Sequence, residues 1–196
     1  MSVMRIVAIV PAAGRSTRFG APKLVADVDG VPLLDRTLAA LLDVPAVDRV
    51  IVVTAQGSTI AGVARLLDPR VTMAINPDPS PGMLSSIQIG VAAAVEADIL
   101  ILLPADMPFV AASTVARVAE AAVRVPGSIV VPTCDGRRGH PIAMPAHLRA
   151  LILQAAPQMT LKDVIATSGA QREDLEIDDA GILRDVDVPA DLDRRT

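Results

Sequence analysis

The chain has 196 residues, 52% hydrophobic and 20% charged, with a net charge of −4 and a pI near 5.1, the make-up of one globular domain with a substantial core. That acidic balance excludes a nucleic-acid-binding face, which needs a basic footprint. Phe19 and Phe109 are the only aromatic residues and Cys134 the only cysteine, so stacking platforms, an intrachain disulfide and a multi-cysteine zinc site are excluded as well.

Apolar runs of strand length recur at 4–10, 50–54, 71–75, 99–103 and 129–131. Between them lie helical patterns at 33–42 after Pro32, 59–67 behind Ser58, 83–97 and 113–124. Strands and helices alternate and the strands are almost wholly apolar, which predicts an α/β fold: a mostly parallel open sheet with helices on both faces. After Val131, Asp135-Gly136 reads as a tight turn from which 140–144 returns as a second strand. Helices are expected at 146–154 and 161–167, the latter opened by Thr160 with Asp163 three residues on, close to a capping box. The segments 174–177 and 183–188 flank a turn at 178–181. The expectation is one domain, with a nucleotide-binding core over 1–131 and a substrate-side hairpin-and-helix elaboration over 132–196. No run is long enough to span a membrane, and the N-terminus lacks the charge and cleavage pattern of a leader, so a cytoplasmic protein without membrane or nucleic-acid partners is expected.

The first strand leads into Pro11-Ala12-Ala13-Gly14-Arg15-Ser16-Thr17-Arg18-Phe19-Gly20-Ala21-Pro22-Lys23. Small residues let backbone N–H groups approach a polyanion, and Arg15, Arg18 and Lys23 supply cations to hold it, as a triphosphate cradle would. The Gly-Lys-Ser/Thr of a P-loop is absent, since Phe19-Gly20 stands in its place, and the three-glycine dinucleotide fingerprint is absent too. An ordinary strand-to-helix loop with surface arginines is the competing reading. Thr54 and Asn76, at the ends of the second and third strands, are counted with the nucleotide-binding candidates, as are Gly82, Ser85 and Ser86 at the start of the following helix. The two serines alternatively cap and solvate that first turn.

Asp106 follows the 99–103 strand, where open α/β sheets bind ligands. It is a candidate Mg²⁺ ligand, or else the cap of a helix begun at Pro108. Arg137-Arg138-Gly139-His140 offers two guanidiniums and an imidazole to a phosphate-bearing substrate, or forms the basic arm of a hairpin. Asp187 is a candidate second metal carboxylate, or a cap ahead of Pro189. Cys134 lacks an orienting third group for nucleophilic chemistry, and His147 sits on an amphipathic helix as a surface or packing residue.

Five segments occur in the order found in the molybdenum cofactor nucleotidyltransferases: the small-residue loop ending in Arg18-Phe19-Gly20 and Lys23; Gly82-Met83 with Ser86; Asp106-Met107-Pro108; Arg138-Gly139-His140-Pro141; and Asp185-Val186-Asp187-Val188-Pro189. The chain resembles that MobA-like family, and most of all its cytidylyl-transferring branch. The resemblance implies a Rossmann-like nucleotidyltransferase fold and Mg²⁺-dependent transfer of CMP from CTP to molybdopterin or its molybdenum-loaded form, with release of pyrophosphate. Under it, Pro11, Ala12, Ala13 and Gly14 contact the nucleotide through backbone, and Arg15, Arg18 and Lys23 act on its phosphates. Asp106 and Asp187 hold the metal, Ser85 and Ser86 lie near the ribose or pterin, and Arg138, Gly139 and His140 serve the acceptor. It further implies handover of the product to a molybdoenzyme or its chaperone. Pro11 and Val188 depart from the family pattern, which usually has a bulky aliphatic residue and Thr there. Alternatives are guanylyl transfer from GTP, transfer to an isoprenoid precursor, sugar phosphate or phospholactate, and a non-catalytic nucleotide-binding cofactor carrier. The guanylyl-transferring branch carries two glycines where this chain has Ala13-Gly14, so CTP is expected over GTP.

Overall fold

The computed structural model describes residues 4–14, 19–60 and 62–192. Strand β1 (Ile6–Ala12) is buried along its whole length, as a central strand covered on both faces must be. A short antiparallel ribbon follows, β2 (Asp27–Val28) and β3 (Val31–Pro32), turned at Asp29-Gly30 with both φ positive, 52° and 83°. The chain then alternates through α1 (Leu33–Leu42), β4 (Arg49–Ala55), β5 (Val71–Asn76), α2 (Met83–Ala93), β6 (Ile99–Leu102), α3 (Ala112–Arg124) and β7 (Ile129–Cys134). The last third adds β8 (Arg137–Arg138), β9 (Ile142–Pro145), α4 (Arg149–Gln154), α5 (Leu161–Thr167) and β10 (Arg172–Glu176).

The strands run in the order β10-β7-β9-β6-β1-β4-β5, with β8 hairpinned onto β7. β1 pairs in parallel with β4 on one side and β6 on the other. The chain winds outward through β4 and β5 and then returns to β6 across β1, so the carboxyl ends of β1 and β6 form the crevice where such sheets take ligands. Alternation along β1 feeds two cores. Ala8 and Val10 pack with α1 and α3 residues such as Leu34, Leu38, Val115 and Val118. Val7 and Ile9 pack with Leu84, Ile87, Val91 and Val164 from α2 and α5. Gly90 is required where α2 crosses Ile9 and Val53, because a Cβ there would overlap the Ile9 side chain.

The mostly parallel sheet with helices on both faces agrees with expectation, and α1 and α5 fall at the expected residues. The Thr160–Asp163 capping box is present, with the Thr160 N–H donating to Asp163 Oδ2 at 2.8 Å. Other boundaries differ. The helix expected at 59–67 is reduced to a 3₁₀ turn at Ala64–Leu67: Gly62 has a φ of 90°, and Val63 is extended and buried in the first core. The turn is pinned instead by Arg65, whose N–H and guanidinium donate to buried Asp35 at 2.8 and 2.7 Å. α2 stops at Ala93, because the backbone turns at Ala94 to bury Ala94 and Ala97. The partner of β7 across Asp135-Gly136 is the two-residue β8; the longer β9 inserts antiparallel between β6 and β7. Among the described residues no helix is long and apolar enough to cross a membrane.

Candidate active site

A cavity of about 430 Å³ opens at the carboxyl ends of β1 and β6. Pro11–Gly14 form one wall, residues of the 79–86 segment the opposite wall, and Lys23, Leu24, Ala105 and Asp106 its base. The loop after β6 is fixed to β1 by the Ala105 N–H, which donates to the Pro11 carbonyl at 3.1 Å. The buried Thr37 hydroxyl donates to the Ala105 carbonyl at 2.9 Å.

Three charged side chains meet at that base. Lys23 Nζ donates to Asp106 Oδ2 at 2.8 Å and lies 3.8 Å from Asp187 Oδ1. The lysine side chain is only 12% exposed and the carboxylates 23% and 41%, so their charges are less screened than those of a surface pair. Backbone and packing hold them together. The Val186 N–H donates to the Asp106 carbonyl at 2.9 Å, which sets Asp187 beside Asp106. A small hydrophobic cluster of Phe19, Val28, Leu33 and Val186, with Leu24 and Phe109 packed on it, ties the first loop to the C-terminal return. That return closes tightly: a Cβ on Gly181 would overlap the Phe109 carbonyl, and one on Gly139 the Ile182 carbonyl. The carboxylate that caps the turn at Pro189 comes from within it, from Asp191, whose Oδ2 accepts from the Asp187 and Val188 N–H groups at 2.9 Å each; an Asp187 carboxylate oxygen lies 3.8 Å from Lys23 Nζ instead.

Two carboxylates converging on one ammonium form a pair of hard oxygen donors that fits Mg²⁺ or Mn²⁺. Such ions keep several waters and take one or two carboxylates together with substrate phosphates. Among the described residues no group of three or more His, Cys, Asp or Glu comes together as a metal site.

The opposite wall is uncharged. Gly82, with φ 122° and ψ −174°, caps α2 in a conformation suited to glycine. Behind it Asn76 is buried; its Nδ2 donates to Ser85 Oγ at 2.9 Å and Ser86 Oγ at 3.0 Å, and its Oδ1 accepts from the Asp78 N–H at 3.0 Å. Ser86 lines the cavity, whereas the buried Asn76 and the half-exposed Ser85 do not. Thr54 is buried beside Ala12, its register partner on β4.

The acceptor candidates lie on the hairpin and its continuation. Arg138 makes a bidentate pair with Asp174 of β10, at 2.9 and 2.6 Å, and that carboxylate raises the guanidinium pKa further. Gly139 is a packing residue under Ile182, with its N–H donating to the Pro132 carbonyl at 2.9 Å. The His140 N–H donates to the Ile182 carbonyl at 3.0 Å. Burial brings the imidazole pKa down to about 4, against the opposing pull of the nearby Asp106 charge. His140 is therefore a neutral hydrogen-bonding group at pH 7.

Residues 8–174 match the MobA-like NTP transferase domain. The chain belongs to this family. The 2-C-methyl-D-erythritol 4-phosphate cytidylyltransferase of Rhodococcus jostii is 33% identical over 117 residues, 59% of this chain and 50% of that enzyme; the chain spans about half the length of the curated relatives it matches. Among solved structures, Rv0371c of Mycobacterium tuberculosis superposes with a TM-score of 0.82 at 23% identity, covering 97% of this chain and 96% of that one. A second structure of that protein is a complex with manganese, with a TM-score of 0.71 at 20% identity over 88% of each chain. A nucleotidyl transferase from Methanothermobacter, at 25% identity, has a TM-score of 0.75 over 97% and 94% of the two chains. These matches establish the MobA-like family and its fold; the Rhodococcus relative is named for 2-C-methyl-D-erythritol 4-phosphate and not for the molybdenum cofactor.

In this MobA-like domain the sequence-predicted residues Pro11, Ala12, Ala13, Gly14, Lys23, Gly82, Ser86 and Asp106 all line one cavity, and Asp187 joins through Lys23. Arg15 and Arg18 lie outside the described residues. Sequence reasoning missed the supporting residues. Thr37 carries no local signal, because a Thr in an apolar helix looks like any helix residue. Phe19 had one: a lone aromatic residue in a loop of small and charged residues is most economically explained as an anchor.

Proposed function

We propose that this MobA-like domain is a metal-dependent cytidylyltransferase that moves CMP from CTP onto a phosphate-terminated acceptor, with molybdopterin or its molybdenum-loaded form as that acceptor. The observation that carries the reading is Lys23 held between Asp106 and Asp187 at the base of a cavity walled by the Pro11–Gly14 backbone. An acceptor phosphate oxygen forms a bond to the α-phosphorus of CTP while the bond to the bridging oxygen breaks, and pyrophosphate leaves with that electron pair. The attacking oxygen is already an anion, so no strong base is required, and catalysis rests on positioning and charge neutralisation. A divalent ion on Asp106 and Asp187 would supply additional positive charge to the phosphates. Lys23, turned from the carboxylates to the nucleotide, meets the charge that builds on the α-phosphate and the leaving group. Arg15 and Arg18 add phosphate contacts, and the Ala12–Gly14 backbone and Ser86 seat the nucleoside.

The acceptor assignment rests on the ordered motifs, above all Arg138-Gly139-His140-Pro141 near Asp106: a neutral imidazole is a hydrogen-bonding partner for a polar heterocycle. The name carried by the Rhodococcus relative favours a second acceptor, 2-C-methyl-D-erythritol 4-phosphate. Pyrophosphate release over a grid of CTP and GTP against both acceptors tests the reading. It predicts release with CTP and molybdopterin; release with the erythritol phosphate alone moves the acceptor assignment, and release with no pair leaves a nucleotide-binding carrier.

A further inference from the structure

A buried hydroxyl whose proton lacks a partner is costly, so its orientation indicates what it awaits. Ser86 is buried to 3% exposure and lines the cavity. Its Oγ accepts from Asn76 Nδ2 at 3.0 Å, which occupies one lone pair and leaves the O–H as the group to be satisfied. The backbone oxygen one turn back, on Gly82, already accepts from the Ser85 N–H at 3.2 Å and the Ser85 hydroxyl at 2.8 Å. Asn76 cannot rotate its amide to reverse the pattern, because the Asp78 N–H holds Oδ1 and the two serines take both Nδ2 protons. The Ser85 hydroxyl is thereby spent on the Gly82 carbonyl, while Ser86 lines the cavity with no acceptor for its proton among the described residues.

We infer that Asn76 is a positioning residue, not a ligand contact: it locks the Ser86 hydroxyl as a donor aimed at a hydrogen-bond acceptor atom on the bound nucleotide. The inference deepens the cytidylyl-transfer reading and rests on it for the identity of the ligand.

The test is a double-mutant cycle on CTP binding, measured by calorimetry with Mg²⁺ and no acceptor, so that no turnover intervenes. Ser86→Ala should weaken CTP by about three- to tenfold, the worth of one neutral hydrogen bond. Asn76→Ala should weaken it by about two- to fivefold in the wild-type background and leave it unchanged in the Ser86→Ala background, since nothing remains to be oriented. Equal losses in both backgrounds would make Asn76 a merely structural residue and overturn the inference. If Asn76→Ala does not fold, a Ser86→Ala protein with wild-type CTP affinity overturns it by itself. Failure of the wild-type protein to bind CTP would remove the nucleotide reading, and the inference with it, whereas CTP binding with an additive cycle removes the inference alone.

Discussion

The two sides of the cavity are built in opposite ways. On the charged side, residues 23, 106 and 187 are far apart in the chain and meet only because β1 carries the β6 loop, and the C-terminal return bonds to Asp106. On the neutral side, Asn76, Ser85 and Ser86 lie within ten positions and are set by one local network. Long-range assembly makes the charged side depend on packing elsewhere in the fold. The neutral side is insulated from such changes. Catalytic power should therefore follow the charged side and nucleotide selection the neutral one.

Asp106→Asn probes that division hardest. It should lower turnover by about three orders of magnitude while leaving the fold intact, because the position is a loop and one of two carboxylates is lost. Turnover within a few-fold of wild type at limiting Mg²⁺ would break the assignment. Phe19→Ala should cost about 3 kcal/mol of stability in denaturant unfolding and reduce turnover more than CTP affinity, because the cluster that contains Val186 and packs on Leu24, the neighbours of Asp187 and Lys23, loosens; unchanged stability would detach the charged side from its packing. Lys23→Ala should lower kcat by about a hundredfold with a smaller effect on CTP binding, since its charge serves the transition state. The same variant should bind Mn²⁺ more tightly without nucleotide, as the competing ammonium is gone. An unchanged kcat with a raised KM would make Lys23 a binding residue only.

His140 sharpens the comparison through pH. Its folded value of about 4 lies below the ordinary histidine value of 6.5, so the unfolded chain takes up a proton first as pH falls. Stability is then lost between about pH 6.5 and 4 and is flat in this group below that, a loss on the order of 2 kcal/mol after allowance for partial exposure. His140→Gln should flatten that slope in pH-dependent unfolding; an unaltered slope would mean that the imidazole is not held neutral. The smallest effect belongs to Ala13→Gly. Removing one methyl from the Pro11–Gly14 wall, which faces the neutral side across the cavity, should improve relative GTP use by about 1 kcal/mol and leave CTP turnover standing, as read from the kcat/KM ratio of the two nucleotides.

Sheet, helix order and most cavity-lining residues were legible because buried parallel strands are apolar on both faces and glycine-rich or small-residue loops follow them. The 59–67 segment misled because Gly62 and the tertiary pull on Val63 override a helical pattern. Asp187 was legible as a carboxylate but ambiguous as a ligand, since only the fold shows that Asp191 performs the capping. The bidentate capture of Arg138 by Asp174 depends on the β7–β10 register, which no local pattern encodes.

The charged side's role in nucleotidyl transfer is tested most directly by incubating the protein with CTP, Mg²⁺ and molybdopterin and weighing the acceptor by mass spectrometry. A CMP adduct that forms with wild type, with stoichiometric pyrophosphate, and does not form with Asp106→Asn is the predicted result. Adduct formation at equal rates by both proteins, or CTP bound tightly with no adduct on any phosphate acceptor, would contradict it.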